Sequence, residues 1–155
     1  LLPRRLQGKL VRTIVMPVTA PTKDVLAGIL KVQERMERDQ ESSIVEGVLA
    51  ELHDRGKAVA GFAAVLDAVN QGRVWTLVYG KTFKTRAGEC GDCKAYSPHS
   101  SGPCVYCGGD VTPMSQPVDR LSQSVLEMGG RVEVVDGPAR TALAKKGDIA
   151  VLLRY

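Results

Sequence analysis

All four cysteines of this 155-residue chain fall in one stretch, as Cys90-x2-Cys93 and Cys104-x2-Cys107 with ten residues between the pairs. A CxxC pair can fold into a knuckle whose backbone amides steady its two sulfurs, and two knuckles supply the four tetrahedral thiolates of a structural zinc site. Gly91 inside the first pair and Gly108-Gly109 directly after the second permit the tight turns that knuckles use. The alternatives fit less well. Disulfides serve secreted chains that lack a core, and a redox-active CxxC opens a helix beside a strand, whereas both pairs here lie among Gly, Ser and Pro. An iron–sulfur cluster also takes four thiolates, but the paired, ribbon-like spacing is commoner for zinc. The expected metal ligands are Cys90, Cys93, Cys104 and Cys107, the expected cofactor is zinc, and His99 between the pairs is read as an exposed loop residue. A closed four-thiolate site leaves no position for water or substrate, so its expected role is to hold a minidomain together and not to catalyse.

The cysteines interrupt a regular alternation. From Thr22, read as an N-cap, the apolar residues Val25, Leu26, Ile29, Leu30, Val32 and Met36 recur at helical spacing. The stripe resumes at Ile44, Val45, Val48, Leu49 and Leu52 until Gly56, as one long helix or as two that meet near Ser42. "KAVAG" reads as a strand, "FAAVLDAVNQG" as a helix with Phe62, Val65, Leu66 and Val69 inward, and "RVWTLVYG" as a strand covered on both faces. Beyond the cysteines come a helix built on Val118, Leu121, Val125 and Leu126 and ended by Gly129-Gly130, the strand "RVEVV", the helix "PARTALAKKG" and the buried strand "DIAVLLR". Helices alternating with buried strands predict a layered α/β sandwich with a mixed, partly parallel sheet. Residues 21–86 and 111–155 are expected to form that core and 87–110 an inserted minidomain. Residues 1–20, in which Leu10, Val11, Ile14, Val15 and Met16 read as a strand closed by Pro17, are expected to end a preceding domain or to be a linker.

Composition narrows the function classes. With 44% hydrophobic and 25% charged residues the chain can bury one substantial core. No apolar run approaches the roughly 18 to 20 residues of a membrane span, and the charges near the start interleave with apolar residues, unlike a secretory signal. A cytoplasmic protein without membrane partners is therefore expected. A net charge of +4 suits an anionic partner such as ribosomal RNA and equally suits an ordinary solvated surface. No P-loop, GxGxxG, GxSxG or HExxH is present. Asp67, Glu127, Glu133 and Asp136 are scattered without a pairing that would make an acid–base site, and His53 is read as a helix-end or surface residue. Trp75 and Tyr79 are assigned to core packing in preference to base stacking. Lys81, Lys84, Arg86 and Lys94 are the candidate contacts to phosphate or to an acidic protein face.

The unit "GxxxVLDAVNQGxVxxLVY" over 61–79, the paired-cysteine insertion after that strand, and the closing "GDIAVLLRY" together resemble the C-terminal domain (domain 3) of archaeal and eukaryotic class 1 peptide chain release factors and their bacterial relatives. The resemblance covers about residues 22–155, with "LQGKLVRTIVMP" resembling the end of the family's central domain. It implies an α/β fold similar to ribosomal protein L30e and the kink-turn RNA binder L7Ae, with the minidomain projecting from it. It also implies contacts with a partner translational GTPase, the ribosome and rRNA in translation termination, ribosome rescue or dormancy. Peptide release in that family belongs to a Gly-Gly-Gln loop, which this sequence lacks, so neither catalysis nor a small-molecule substrate is expected of these residues. An L7Ae-like module recognising structured RNA is the alternative. Against it, Gly61-Phe62-Ala63-Ala64 stands where such binders place polar residues.

Overall fold

The computed structural model describes residues 3–7, 9–54 and 56–154, without the side chains of Arg4, Leu6, His53 and Asp54. The chain divides into two compact units, Leu1–Gln40 and Glu41–Tyr155, and helix α2 (Thr22–Asp54) runs from one into the other.

In the first unit a short helix, α1 (Arg4–Gln7), is followed by a segment without regular secondary structure, so the strand expected at 10–16 does not form. A strand needs a neighbour to satisfy its row of N–H and C=O groups. No strand pairs with this segment among the described residues; its apolar side chains are used otherwise, Ile14 and Met16 lying against Gly28 of α2. The carbonyl of Pro21 accepts from the amides of Asp24 and Val25 at 2.9 and 3.2 Å, which makes Pro21 the cap and Thr22 the first helical residue. α2 is one 33-residue helix, with no break at Ser42.

The second unit is built on a four-stranded sheet. Its strands are β1 (Ala58–Ala60), β2 (Val74–Gly80), β7 (Arg131–Val135) and β8 (Ile149–Leu153), in the order β1-β8-β2-β7. β2 and β7 are parallel, from Thr76 opposite Arg131 to Gly80 opposite Val135, while β8 runs antiparallel to both β1 and β2. The expected mixed sheet is therefore present. Helices α3 (Phe62–Asn70) and α4 (Pro117–Glu127) cover one face, where Val65, Leu66, Val69, Leu121 and Val125 meet Val74, Leu77, Ile149 and Val151. The C-terminal part of α2 and helix α5 (Gly137–Ala144) cover the other, where Val45, Val48, Ala139 and Leu143 meet Ala58, Val78, Val135 and Ala150. Both faces of β2 and β8 are thus buried, which is why these two strands read as near-continuous apolar runs. Leu126 is exposed, because it stands about 140° around the helix from Leu121.

Between β2 and α4 lies a second, wholly antiparallel sheet of very short strands: β3 (Gly88–Cys90), β4 (Tyr96–Ser97), β5 (Gly102–Pro103) and β6 (Asp110–Pro113), in the order β4-β3-β6-β5. Parallel strands such as β2 and β7 need a long crossover, and this minidomain and α4 together make it. Gly88 is held here by close approach: a Cβ on it would run into Val111 and lie 2.5 Å from the His99 carbonyl.

Candidate metal centre and its mounting on the core

The two CxxC segments have the same backbone course. In the first, the amide of Lys94 donates to the Cys90 carbonyl at 3.2 Å and that of Cys90 to the Ala95 carbonyl at 2.9 Å; in the second, Gly108 donates to Cys104 at 2.8 Å and Cys104 to Gly109 at 2.7 Å. Each turn closes through a residue with positive φ, Lys94 at 61° and Gly108 at 78°. Only the second knuckle places glycine at this position, where it is conformationally cheapest. Lys94 is held there by its own side chain, whose Nζ donates to the Gly91 carbonyl at 2.8 Å.

The knuckles face each other and bring all four Sγ atoms within 4.8 Å of one another. Cys90 and Cys107 are 3.5 Å apart, Cys93 and Cys104 3.6 Å. Four thiolates on one zinc ion, at bonds of about 2.3 Å, stand about 3.8 Å apart in a tetrahedron, so the spacing suits a single ion. Protonation within the cluster is uneven. Amides of Tyr106 and Cys107 donate to Cys104 and draw its thiol down to about 7. At Cys93 the Ala95 amide favours the thiolate, but hydrogen bonds with Cys107, Cys104 and Cys90, together with desolvation, push the thiol up to about 12. Four sulfurs this close cannot all ionise unaided; a cation at their centre removes the repulsion. Cys90 and Cys104 are buried, Cys93 and Cys107 exposed, and His99 is exposed and outside the cluster, as expected.

The minidomain is fastened to α3 and α4 by contacts that sequence reasoning missed. Asn70 Nδ2 donates to the Tyr96 carbonyl and Asn70 Oδ1 accepts from the Tyr96 amide, both at 2.8 Å. The Tyr96 hydroxyl lies 2.6 Å from Ser124 Oγ, Arg120 donates to Glu89 at 2.6 Å, and the Tyr106 hydroxyl donates to Asp67 at 2.9 Å. Asp67 is therefore more than a solvated acid. The hydrogen bond from Asn70 favours a charged Tyr106, but desolvation and the carboxylate of Asp67 outweigh it and hold the phenol above its ordinary pKa. The Cys-x2-Cys spacing signalled the site, whereas nothing in the sequence signals an asparagine that pairs with a backbone 26 residues away.

The candidate cationic contacts do not gather in one place. Lys81 and Lys84 line a cleft with Tyr79, Phe83, Gln116 and Asp119, and Lys81 Nζ stands 3.7 Å from Asp136. Lys94 borders a different cleft, with Val69, Asn70 and Tyr96, and Arg86 is exposed in the connection to β3. Trp75, expected in the core, is 43% exposed. The register of β2 against β8 shifts between Val74 and Thr76, and a bulge of this kind turns a side chain out of the strand's alternation.

Fold and site together define a class: an α/β domain with helices on both faces of a mixed sheet and a four-cysteine minidomain set into the crossover between two parallel strands. That fold is the one seen in the C-terminal domain of the peptide chain release factor of Methanosarcina mazei, at TM-score 0.62 and 19% identity over 90% of this chain and 98% of that one. Archaeal Pelota, from a ribosome-bound structure with ABCE1, is similar at TM-score 0.59 and 19% identity over 93% of this chain and 34% of its own. Dom34 of S. cerevisiae, described as a translation termination-like factor that interacts with Hbs1, is similar at TM-score 0.54 and 17% identity over 81% of this chain and 29% of its own. The chain thus spans about a third of Pelota and Dom34. No protein-family model and no curated protein matches the sequence.

Proposed function

We propose that this chain is the non-catalytic C-terminal domain of a release-factor-like translation protein, which binds the ribosome and a partner translational GTPase in termination, rescue or dormancy. The observation that carries this reading is the fold, which the chain shares over nine-tenths of its length with a release-factor C-terminal domain and with a Pelota bound to the ribosome. Dom34, which interacts with Hbs1, supports a protein partner of the GTPase kind. Residues 1–20 would belong to the end of a central domain or to a linker, 21–86 and 111–155 to the binding core, and 87–110 to the minidomain. Its ion is zinc, held by Cys90, Cys93, Cys104 and Cys107 for stability alone, since four thiolates leave no open position. Lys81 and Lys84, Arg86, and Lys94 are contact residues on separate parts of the surface, and the protein works in the cytoplasm. Among the described residues no helix is long and apolar enough to cross a membrane. Co-sedimentation of the chain with ribosomes at moderate salt, in the presence and absence of a candidate GTPase, tests the reading. Pelleting that rises with the ribosome concentration is expected; a chain that stays in the supernatant under both conditions refutes it.

A further inference from the structure

The bulge that exposes Trp75 also places it between two guanidinium groups. Arg131 and Arg154 lie over the indole ring, 5.6 and 5.7 Å from its centre. Both are set there by backbone geometry. Arg131 opens β7 opposite Thr76, directly after Gly130, and a Cβ on Gly130 would meet the Trp75 carbonyl at 3.0 Å and the Val125 carbonyl at 2.9 Å. Only a residue without a side chain lets the turn from α4 come this close to β2. Arg154 is fixed by its Nε, which donates to the Val74 carbonyl at 2.9 Å, and by its Nη2, which donates to the Met128 carbonyl. Neither arginine has a carboxylate partner among the described residues, where the ion pairs are Lys81–Asp136, Arg120–Glu89 and Arg140–Asp148.

An indole that is 43% exposed and bordered by guanidinium groups without carboxylate partners offers an unpaired nucleotide an aromatic surface for the base and cations for the phosphates on either side. We infer that Trp75, Arg131 and Arg154 form a binding site for single-stranded RNA, with one base stacked on Trp75. An acidic peptide would use the arginines but gain little from the exposed ring, so the aromatic residue decides for RNA. The site shares no residue with the metal centre and uses none of the lysines assigned above.

Trp75 is the only tryptophan in the chain, so its fluorescence reports this site alone. Titration with a short single-stranded oligouridylate is expected to quench it, with binding weakened by salt. Trp75→Ala is expected to lower the affinity for a fluorescein-labelled oligouridylate by roughly 5- to 150-fold, the range of one lost base stack, while Trp75→Phe keeps most of it. Arg131→Gln is expected to reduce the slope of log affinity against log salt by about 0.7, the value of one phosphate contact on a single strand. Circular dichroism checks that the variants remain folded. Absence of quenching, or unchanged affinity in Trp75→Ala, overturns the inference. So does equal binding of dextran sulfate, which has charge but no bases, or tighter binding of poly-glutamate, which marks an acidic protein as the occupant. Because the probe contains no ribosome and no GTPase, failure here leaves the proposed role in translation standing, and failure of ribosome binding leaves this site standing.

Discussion

Removing the metal, or one of its ligands by Cys104→Ser, is expected to melt the minidomain and spare the core. The buried cluster within the minidomain is small: Cys90, Cys104 and Val111, with Ala95 packed beside them. Full burial of a valine contributes about 1.5–3 kcal/mol, and the hydrogen bonds that join the minidomain to α3 and α4 contribute about 1 kcal/mol each. A structural zinc ion in a site of this kind contributes about 10–16 kcal/mol, more than the rest together. The two clusters that hold the large sheet draw their buried residues from α2 to α5 and from β1, β2, β7 and β8, none from the minidomain. Only partly buried Tyr96 reaches them from it. The perturbation should therefore be local. Elemental analysis is expected to give about one zinc per chain, and amide hydrogen exchange with and without a chelator is expected to show protection lost over 88–113 and kept in β2 and β8. Two results refute the reasoning: protection of 88–113 that survives verified loss of the metal, or loss of protection in β2 and β8 together with it.

Three further outcomes test the mounting and the electrostatics. Asn70→Ala leaves the part-buried amide and carbonyl of Tyr96 without their partner and is expected to cost about 1–3 kcal/mol, read as a lower urea midpoint at unchanged slope. Gly88→Ala is expected to lower the melting temperature and weaken metal retention, because its Cβ would collide with Val111 and the His99 carbonyl; Gly91→Ala, whose Cβ would meet nothing nearer than the Asp110 carbonyl at 3.7 Å, is the control expected to change neither. Asp136 sits at the start of α5, where the amide of Gly137 and then the charge of Lys81 hold its carboxyl below 3.8. A carboxylate with a lowered folded-state pKa adds stability that is complete above its unfolded value and is lost as the pH falls through the folded one. Asp136→Asn is therefore expected to flatten the acid side of the stability curve below about pH 4, and an NMR titration midpoint for Asp136 at or above 3.8 contradicts this.

How much of this was legible in the sequence depended on the length scale of the signal. α3, β2, α4 and β8 each carry two or more buried apolar residues, so Val65, Leu66, Val69 and Leu121 are legible from spacing alone. The thiolate cluster was equally legible, because the CxxC spacing encodes the knuckle locally. Periodicity fails where pairing or register decides. Residues 10–16 alternate like a strand but have no described neighbour to pair with, and the strands of the minidomain, two to four residues long, are too short to alternate at all. Trp75 was misplaced because one bulge shifts the alternation of β2 against β8, and a bulge leaves no mark in the apolar pattern.

The position of the minidomain follows from the topology of the core. A crossover between parallel strands has to be long, and lengthening a loop that is already long costs little, about 0.6 kcal/mol for each doubling. The insertion also returns the chain to its starting point: Gly88 pairs with Pro113, and the Met114 amide donates to the Ala87 carbonyl at 2.9 Å. The core therefore meets the minidomain as a closed loop and needs no rearrangement to carry it. Closure alone would leave it free to swing about its two ends. The Asn70–Tyr96, Ser124–Tyr96, Arg120–Glu89 and Asp67–Tyr106 contacts oppose that by joining it to two helices at once. Two jobs are thus separated: the thiolate site gives the minidomain its internal order, and the polar contacts with α3 and α4 fix its direction. A partner that recognises residues 94–103 would then meet a surface already held in place. Asn70→Ala should weaken such recognition without loss of the metal, whereas Cys104→Ser should abolish both.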